Sequence, residues 1–242
     1  MRRFTLFIIA LCAFTFCRAQ RVYVVAAGIN DYADPKVNDL NCCENDVADF
    51  CSLMVKQRAT VYKFTGHQAT KANIKNALTT ICTSATAQDA VVFFFSGHGY
   101  PGGFCPYDMR QISDGLSYAE MQTIFKQCRA GRKVVFADAC FSGGLRNRRS
   151  SATNINKNGD VMFFLSSRTN EVSQEVPYGK NGQFTRFLIR GLGGGADVNR
   201  DRIITAKEIY TFVHNGVSVA TYDKQHPVMW GKFDNNMPVL VW

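Results

Sequence analysis

The stretch VVFFFSGHGY, residues 91–100, decides the fold, because a run of apolar residues stops there on a histidine between two glycines. Residues 91–95 are all apolar and have the length of one strand, which is typical of a strand covered on both faces of a parallel sheet. One interpretation of Ser96-Gly97-His98-Gly99 is a polar turn. The other is a histidine at the carboxyl end of a sheet strand, where open α/β sheets hold their sites.

A second strand ends in the same way. KVVFADACFSGG, residues 133–144, runs from an apolar strand into Asp138, Cys140 and a pair of glycines. A cysteine is a good nucleophile only as thiolate, and a nearby imidazole can take its proton. The glycines let backbone N–H groups face a developing oxyanion. Taken alone, Cys140 is equally compatible with a buried structural cysteine or a disulfide partner.

The rest of the chain alternates strands and helices, which predicts a mostly parallel sheet with helices on both faces. The predicted strands are residues 21–27, 60–64, 91–95, 133–137, 161–165 and 237–241, and the predicted helices are residues 44–57, 71–81, 117–128, 183–192 and 206–213. Residues 143–159 interrupt this rhythm with a polar, basic stretch rich in Gly, Ser and Asn, which indicates an exposed loop.

The N-terminus predicts export. Arg2 and Arg3 precede an apolar stretch from Phe4 to Phe16, and Cys17-Arg18-Ala19 follows with small residues suited to cleavage. Residues 1–19 therefore have the pattern of a cleaved secretory signal, and residues 20–242 form one domain. About 13 apolar residues fall short of the ~20 that a membrane span needs. We therefore expect a secreted or periplasmic protein that does not remain in a membrane.

Charge and cysteine content bound the remaining classes. Loss of residues 1–19 lowers the formal net charge from +9 to +6, and the basic residues are mostly scattered, so we expect a solvated surface and no nucleic-acid partner. Seven of the nine cysteines remain. In an exported protein six of them can pair in disulfides and one is left as a candidate free thiol.

The pairing of SGHG with D-x-C-x-S-G, the histidine first and the cysteine 42 residues later, resembles the caspase-like cysteine peptidases, in particular the metacaspase-type branch. VYVVAAGINDY resembles the first strand of that family, LNCCENDVADF the start of its first helix, and QHPVMW…MPVLV its last strand. The resemblance implies a three-layer α/β sandwich with a mostly parallel six-stranded sheet. It implies a cysteine endopeptidase that needs no cofactor, acts on peptides or proteins and is a monomer.

Carried over residue by residue, the resemblance makes His98 the base and Cys140 the nucleophile. The N–H groups of Gly99 and Cys140 would form the oxyanion hole. The position of Phe141 departs from the family, where histidine is usual, but it is not part of the dyad.

The resemblance also implies an acidic pocket for the residue before the cleaved bond, on Asp46, Ser96 and Asp138. Two carboxylates attract Arg or Lys and repel Asp, so cleavage after basic residues is expected. Other interpretations are ordinary: Asp46 fits an acidic residue near a helix N-terminus, and Asp138 fits a strand-end cap.

Two further features follow from this interpretation. An enzyme that prefers basic residues could cut itself in the 143–159 loop, where the candidate positions are Arg146, Arg148, Arg149 and Lys157. DVNRDRIITAKE resembles a calcium loop, with Asp197, Asn199, Asp201 and Glu208 as candidate ligands. Arg202 stands where that loop needs glycine, so a capped loop leading into a helix is the alternative, and calcium is not expected to be required.

Two rival functions stay open. A clostripain- or gingipain-type peptidase of the same fold would also use the dyad and prefer Arg. A non-catalytic binding module would keep the fold but lose activity, and a disulfide through Cys140 would favour it.

Overall fold

The computed structural model describes residues 20–139, 161–168, 171 and 180–241. Its strands in chain order are β1 Val22–Gly28, β2 Thr60–Thr65, β3 Ala90–Ser96, β4 Gly99–Tyr100, β5 Gly103–Phe104, β6 Leu116–Ser117, β7 Arg132–Asp138, β8 Met162–Leu165, β9 Ile203–Thr205, β10 Val228–Gly231 and β11 Pro238–Val241. Its α-helices are α1 Cys43–Lys56, α2 Lys71–Ser84, α3 Tyr118–Gln127, α4 Gln183–Arg190 and α5 Ala206–Ala220. Short 3₁₀ turns lie at Gly66–Gln68 and Ile112–Asp114, and a π-helical turn, Gly191–Gly195, follows α4.

Six strands form the central sheet in the order β10-β8-β7-β3-β1-β2, and all but β10 run parallel. The predicted mostly parallel six-stranded sheet is confirmed. The apolar runs at β3 and β7 occupy neighbouring central positions, which is why neither shows polar alternation.

Alternate residues of each strand feed two separate cores, one on each face of the sheet. Val25, Phe93 and Phe95 pack in the core that α2 and α3 cover. Val24 and Phe94 pack in the other core, with α1, α4 and α5, where the Phe50 and Phe94 rings stack 4.3 Å apart. The three-layer sandwich therefore follows from the two-residue period of the strands.

The helices begin where the chain supplies acceptors for free N–H groups. Ser117 and Glu120 form a capping box at α3, which the S-x-x-E pattern of residues 117–120 predicts. Thr205 and Glu208 form a second capping box at α5. At α1 an acceptor comes from outside the helix: Asn30, from the loop after β1, accepts from the N–H groups of Cys43 and Glu44.

Two details differ from the sequence-based expectation. The strand expected at residues 237–241 exists as β11, but it pairs with β9 in a separate two-stranded sheet, and β10 supplies the sixth strand of the main sheet. Helix α5 also runs seven residues beyond the predicted end at residue 213. It continues through Gly216, where a Cβ would collide with the Phe187 ring of α4, so this glycine permits close helix packing.

Two other findings concern the expected disulfides and membrane-spanning helices. Cys51, Cys82, Cys105 and Cys128 carry free thiols, so no disulfide joins any of these four residues. Within the part of the chain that the structure describes, no helix is long and apolar enough to span a membrane. The predicted signal, residues 1–19, lies outside the described residues.

At the amino ends of β1 and β3, opposite the histidine, Asp89 clamps the two strands. It is buried and accepts from the backbone and guanidinium of Arg21 and from the N–H and hydroxyl of Thr86. Burial opposes ionisation of the carboxyl, but these hydrogen bonds outweigh it and hold the pKa of Asp89 below its usual value.

We predict that Asp89→Ala lowers the free energy of unfolding by roughly 2–3 kcal/mol near pH 7, because two backbone N–H groups lose their acceptor. Since the pKa of Asp89 is lower in the folded state, its contribution is present above the carboxyl's ordinary pKa and is lost as the pH falls below it. Urea unfolding at pH 7 and pH 3 checks both points. The exposed Asp31→Ala is the control, and equal losses in the two variants at pH 7 would contradict the prediction.

Candidate active site

The carboxyl ends of β3 and β7 meet at one edge of the sheet. Ser96 lies opposite Asp138 in the parallel register, and the Gly97 N–H donates to the Asp138 carbonyl at 3.1 Å. His98 lies two residues beyond Ser96, the last residue of β3. Cys140 lies outside the described residues, and Ala139 before it is buried and donates its N–H to Ser166 Oγ at 3.0 Å. The structure therefore brings together the two strands that lead into the predicted dyad.

The imidazole of His98 is held in one tautomer. Its Nε2 lies 2.7 Å from the Asn38 carbonyl oxygen. A carbonyl oxygen only accepts, so Nε2 must carry a proton in this contact. In the neutral ring Nδ1 then has the free lone pair, which makes Nδ1 the atom able to accept a proton.

Tyr32 supports the same histidine from the other side. Its hydroxyl accepts from the His98 backbone N–H at 2.7 Å, and the two rings lie 5.1 Å apart. Gly97 makes this approach possible, because a Cβ at that position would lie 2.7 Å from the Tyr32 hydroxyl. Glycine is therefore required beside the histidine for close contact and not for backbone conformation.

Asp46 lies beside the strand end of β3, although it comes from α1. Its Oδ2 accepts from the Ser96 hydroxyl at 2.7 Å, and its Oδ1 accepts from the Gly182 N–H at 3.0 Å. Asp46 and Ser96 are each 1% exposed. The structure thus joins two of the three predicted pocket residues by a direct hydrogen bond.

Asp138, the third predicted pocket residue, sits at the N-terminus of α4. Its Oδ2 accepts from both the N–H and the hydroxyl of Thr185, at 3.1 and 2.9 Å. Gly182, which precedes α4, has no side chain to cap the helix, so Asp138 does so from a neighbouring strand. Asp138 therefore caps the helix α4, which is a different role from the strand-end cap of the alternative interpretation.

The two carboxylates converge on Gly182. A Cβ there would collide with Asp138 Oδ2 and lie 3.4 Å from Asp46 Oδ2. Burial and then the charge of Asp138 raise the pKa of Asp46 well above its usual value, against the opposing effect of the hydrogen bonds from Ser96 and Gly182. A cation placed between these groups would relieve that repulsion.

The other predicted positions are distributed differently. Gly99 begins β4, one residue after His98, and is partly exposed. Arg146, Arg148, Arg149 and Lys157 lie outside the described residues.

The side chains of the predicted calcium loop form hydrogen bonds within the loop. Asp197 accepts from the N–H groups of Asp201 and Arg202, and Asn199 donates to Asp201. Glu208 accepts from Thr205 in the α5 capping box. The described ranges contain no group of three or more His, Cys, Asp or Glu side chains arranged to hold a metal ion.

A cavity of about 870 Å³ lies between α4 and α5, and its lining includes Phe187, Glu208 and Phe212. Of the predicted catalytic and pocket residues that the structure describes, none borders it. We place the site at the strand ends, because that is where the polar and titratable groups converge.

Sequence reasoning missed Tyr32, Asn38, Gly182 and Thr185. Tyr32 belongs to the VYVVAAGINDY stretch, so its place in a loop after β1 was available as a signal. Asn38 acts through its backbone carbonyl, which carries no residue-type signal. Gly182 and Thr185 lie far along the chain from the residues that they contact.

The caspase domain family matches residues 21–236 of the chain. A Geobacter sulfurreducens protein of known structure is 18% identical with a TM-score of 0.68, over 91% of this chain and 99% of its own. Caspase-1 from Spodoptera frugiperda is 14% identical with a TM-score of 0.70, over 90% of this chain and 89% of its own. At these identities the two structures show a shared fold, and a comparison with curated proteins gave no match. Because the family match spans most of its length, the chain belongs to the caspase domain family, which supports a cysteine peptidase kind of function.

Proposed function

We propose that the chain is a metacaspase-type cysteine endopeptidase that cleaves after Arg or Lys, with Cys140 as nucleophile and His98 as base. The observation that carries this proposal is the register of β3 and β7. It pairs Ser96 with Asp138, so His98 and Cys140 follow equivalent positions on adjacent strands. A shared strand edge gives a histidine and a cysteine the proximity that proton transfer requires.

In this mechanism His98 Nδ1 takes the proton of the Cys140 thiol. The thiolate attacks the peptide carbonyl, and the oxyanion is stabilised by the N–H groups of Gly99 and Cys140. His98 then gives its proton to the leaving amine, and water hydrolyses the thioester. The contact of Nε2 with the Asn38 carbonyl supports this assignment, because it stabilises the imidazolium that forms after the first transfer.

The acidic pair Asp46 and Asp138 supports the basic specificity. Burial and then the charge of Asp138 raise the pKa of Asp46, so its carboxylate form gains from an incoming cation. A guanidinium can bind such a pair of carboxylates through several N–H groups. An Asp side chain would add a third like charge and be rejected. The same carboxylates therefore account for both attraction and exclusion.

Self-processing extends the proposal. The basic positions of the 143–159 loop follow Cys140 directly in the chain, and they match the residue preference proposed for the pocket. We also propose that the protein is exported as a monomer after loss of residues 1–19 and needs no cofactor.

The first test incubates the protein with reporter peptides ending in Arg, Lys, Asp or Leu, with calcium or with a chelator. We expect turnover of the Arg and Lys peptides only, unchanged by the chelator. Cys140→Ala and His98→Ala should each lower kcat by at least about 1,000-fold. Mass spectrometry of the same samples should find cuts after Arg146, Arg148, Arg149 or Lys157 in the wild type and none in Cys140→Ala.

Several outcomes would contradict the proposal. Turnover of the Asp peptide would remove the basic specificity, and activity that survives in Cys140→Ala would remove the dyad. No turnover of any peptide, even after the 143–159 loop has been nicked by an added protease, would favour a non-catalytic binding module.

The Asp46→Asn variant distinguishes a role of Asp46 in substrate binding from a role in stability. We predict a loss of about 10- to 100-fold in kcat/KM for Arg peptides, because one charged partner of the substrate is gone. The folded-state pKa of Asp46 is raised, so wild-type stability is highest below the ordinary carboxyl pKa and falls as the pH rises towards the raised value. The variant lacks this fall, so it should lose less stability than the wild type between pH 5 and pH 8.

Asp31→Asn, which replaces an exposed carboxylate outside the predicted pocket, is the control and should change neither property. Urea unfolding at pH 5 and pH 8 measures the stability difference. A variant that loses both stability and activity at pH 8 would show that Asp46 is only structural.

Tyr32→Phe tests the positioning of the histidine. Loss of the hydroxyl leaves the His98 N–H without its acceptor, so we predict a roughly tenfold lower kcat with little change in KM. Tyr62→Phe, on the exposed strand β2, is the control. A change in KM with kcat preserved would contradict a positioning role.

A further inference from the structure

Two cysteines that the proposed reaction does not use meet on the face of the sheet that α2 and α3 cover. Cys82 lies in the last turn of α2, and Cys128 comes directly after α3. Each is 4% exposed. Both belong to the same buried core cluster, and the two thiols lie close enough for each to shift the pKa of the other.

The rest of the helix pair holds these thiols in place. Near the other end of α3, Glu120 accepts from Lys71 and Lys75 of α2, at 3.1 and 3.0 Å. The two helices are thus fixed in register at their amino ends by ion pairs. The thiols meet at the carboxyl ends of the same two helices, so the ion pairs at the amino ends also hold the two cysteines opposite each other.

Lys133 of β7 adds a positive charge beside the pair. It is buried, and its Nζ donates to the carbonyls of Cys128 and Phe125 at 3.3 and 3.5 Å. The interaction with Cys82, the backbone hydrogen bond with Ala130 and, more weakly, the charge of Lys133 lower the pKa of Cys128 against the opposing effect of burial. The interaction with Cys128 and burial raise the pKa of Cys82. The pair is therefore asymmetric, with Cys128 as the better thiolate.

We propose that Cys82 and Cys128 form a reversible disulfide that locks α2 to α3 when the protein meets an oxidising environment. The oxidant is an external disulfide such as oxidised glutathione. The Cys128 thiolate attacks it, forms a mixed disulfide and expels one thiol. Cys82 then loses its proton, attacks the Cys128 sulfur and expels the second thiol, so the protein loses two hydrogens and the oxidant becomes two thiols.

The bond would close a loop of residues 82–128, which includes β3 and His98. A disulfide that closes a long loop restricts the unfolded chain, which raises the melting temperature of the oxidised form. This inference concerns the opposite face of the sheet from Asp46 and does not rest on the proposed peptidase activity.

The test equilibrates the full chain with oxidised or reduced glutathione, blocks free thiols in denaturant and maps peptides without reduction. We expect a Cys82–Cys128 linked peptide only in the oxidised sample. We also expect a melting temperature about 10 °C higher than in the reduced sample. Cys51→Ala, which removes a buried cysteine from the other core, should keep both properties.

Cys82→Ala and Cys128→Ala should each abolish the redox-dependent part of the melting temperature. Peptide mapping of the wild type remains decisive if either variant fails to fold. Complete blocking of both cysteines in the oxidised sample, or a bond from either one to a different cysteine, would overturn the proposal.

Discussion

The register of β3 against β7 is the constraint on which the rest of the structure depends. Side chains alternate between the two cores along each strand, so a slip of one residue would move Phe94 and Phe136 to the wrong face. The same slip would separate the Gly97 N–H from the Asp138 carbonyl, and with it the two strand ends that lead into His98 and Cys140. Burial of large aromatic residues thus fixes the relative placement of small polar ones.

Groups at this edge also support the helices behind them. Asn30 provides acceptors for the start of α1, and Asp138 does so for the start of α4. Each helix therefore begins at the carboxyl edge of the sheet, and its positive end faces that edge. For Asp138, capping and the proposed binding of a basic substrate use the same carboxylate. Asp46 is placed in the first turn of α1, so a helix start and the proposed pocket coincide there too.

The sequence predicted most of the central architecture, because long apolar runs and a capping box report local physics. The strands at β3 and β7 and the start of α3 are of this kind. Prediction failed for elements whose ends or pairing partners depend on packing against distant parts of the chain. Gly216 signals a helix end by propensity, yet it serves contact with Phe187. The short strands β10 and β11 could not be assigned to their sheets, because pairing partners depend on tertiary structure.

The residues of the candidate site also fall into those that the sequence could predict and those that only the structure shows. Asp46, Ser96 and His98 were found from motifs that resemble the family, and the structure places Asp46 against Ser96 as that resemblance implied. Tyr32 and the Asn38 carbonyl orient His98 through contacts that span some 60 residues of chain. No local pattern encodes such contacts, so orientation could not be predicted even though the reacting residue types could.

The arrangement of β7 and β8 determines what cleavage of the connection between them would produce. These strands are direct neighbours in the sheet, and residues on either side of the connection contribute to both cores. A cut within the connection would therefore give two polypeptides that remain one folded particle. The first would carry Asp46 and Asp138, and the second would carry Gly182 and Thr185, which hold those carboxylates. The proposed acidic pocket lies in the first fragment but is held by N–H groups of the second, so its arrangement would depend on association of the two chains and not on the peptide bond between them.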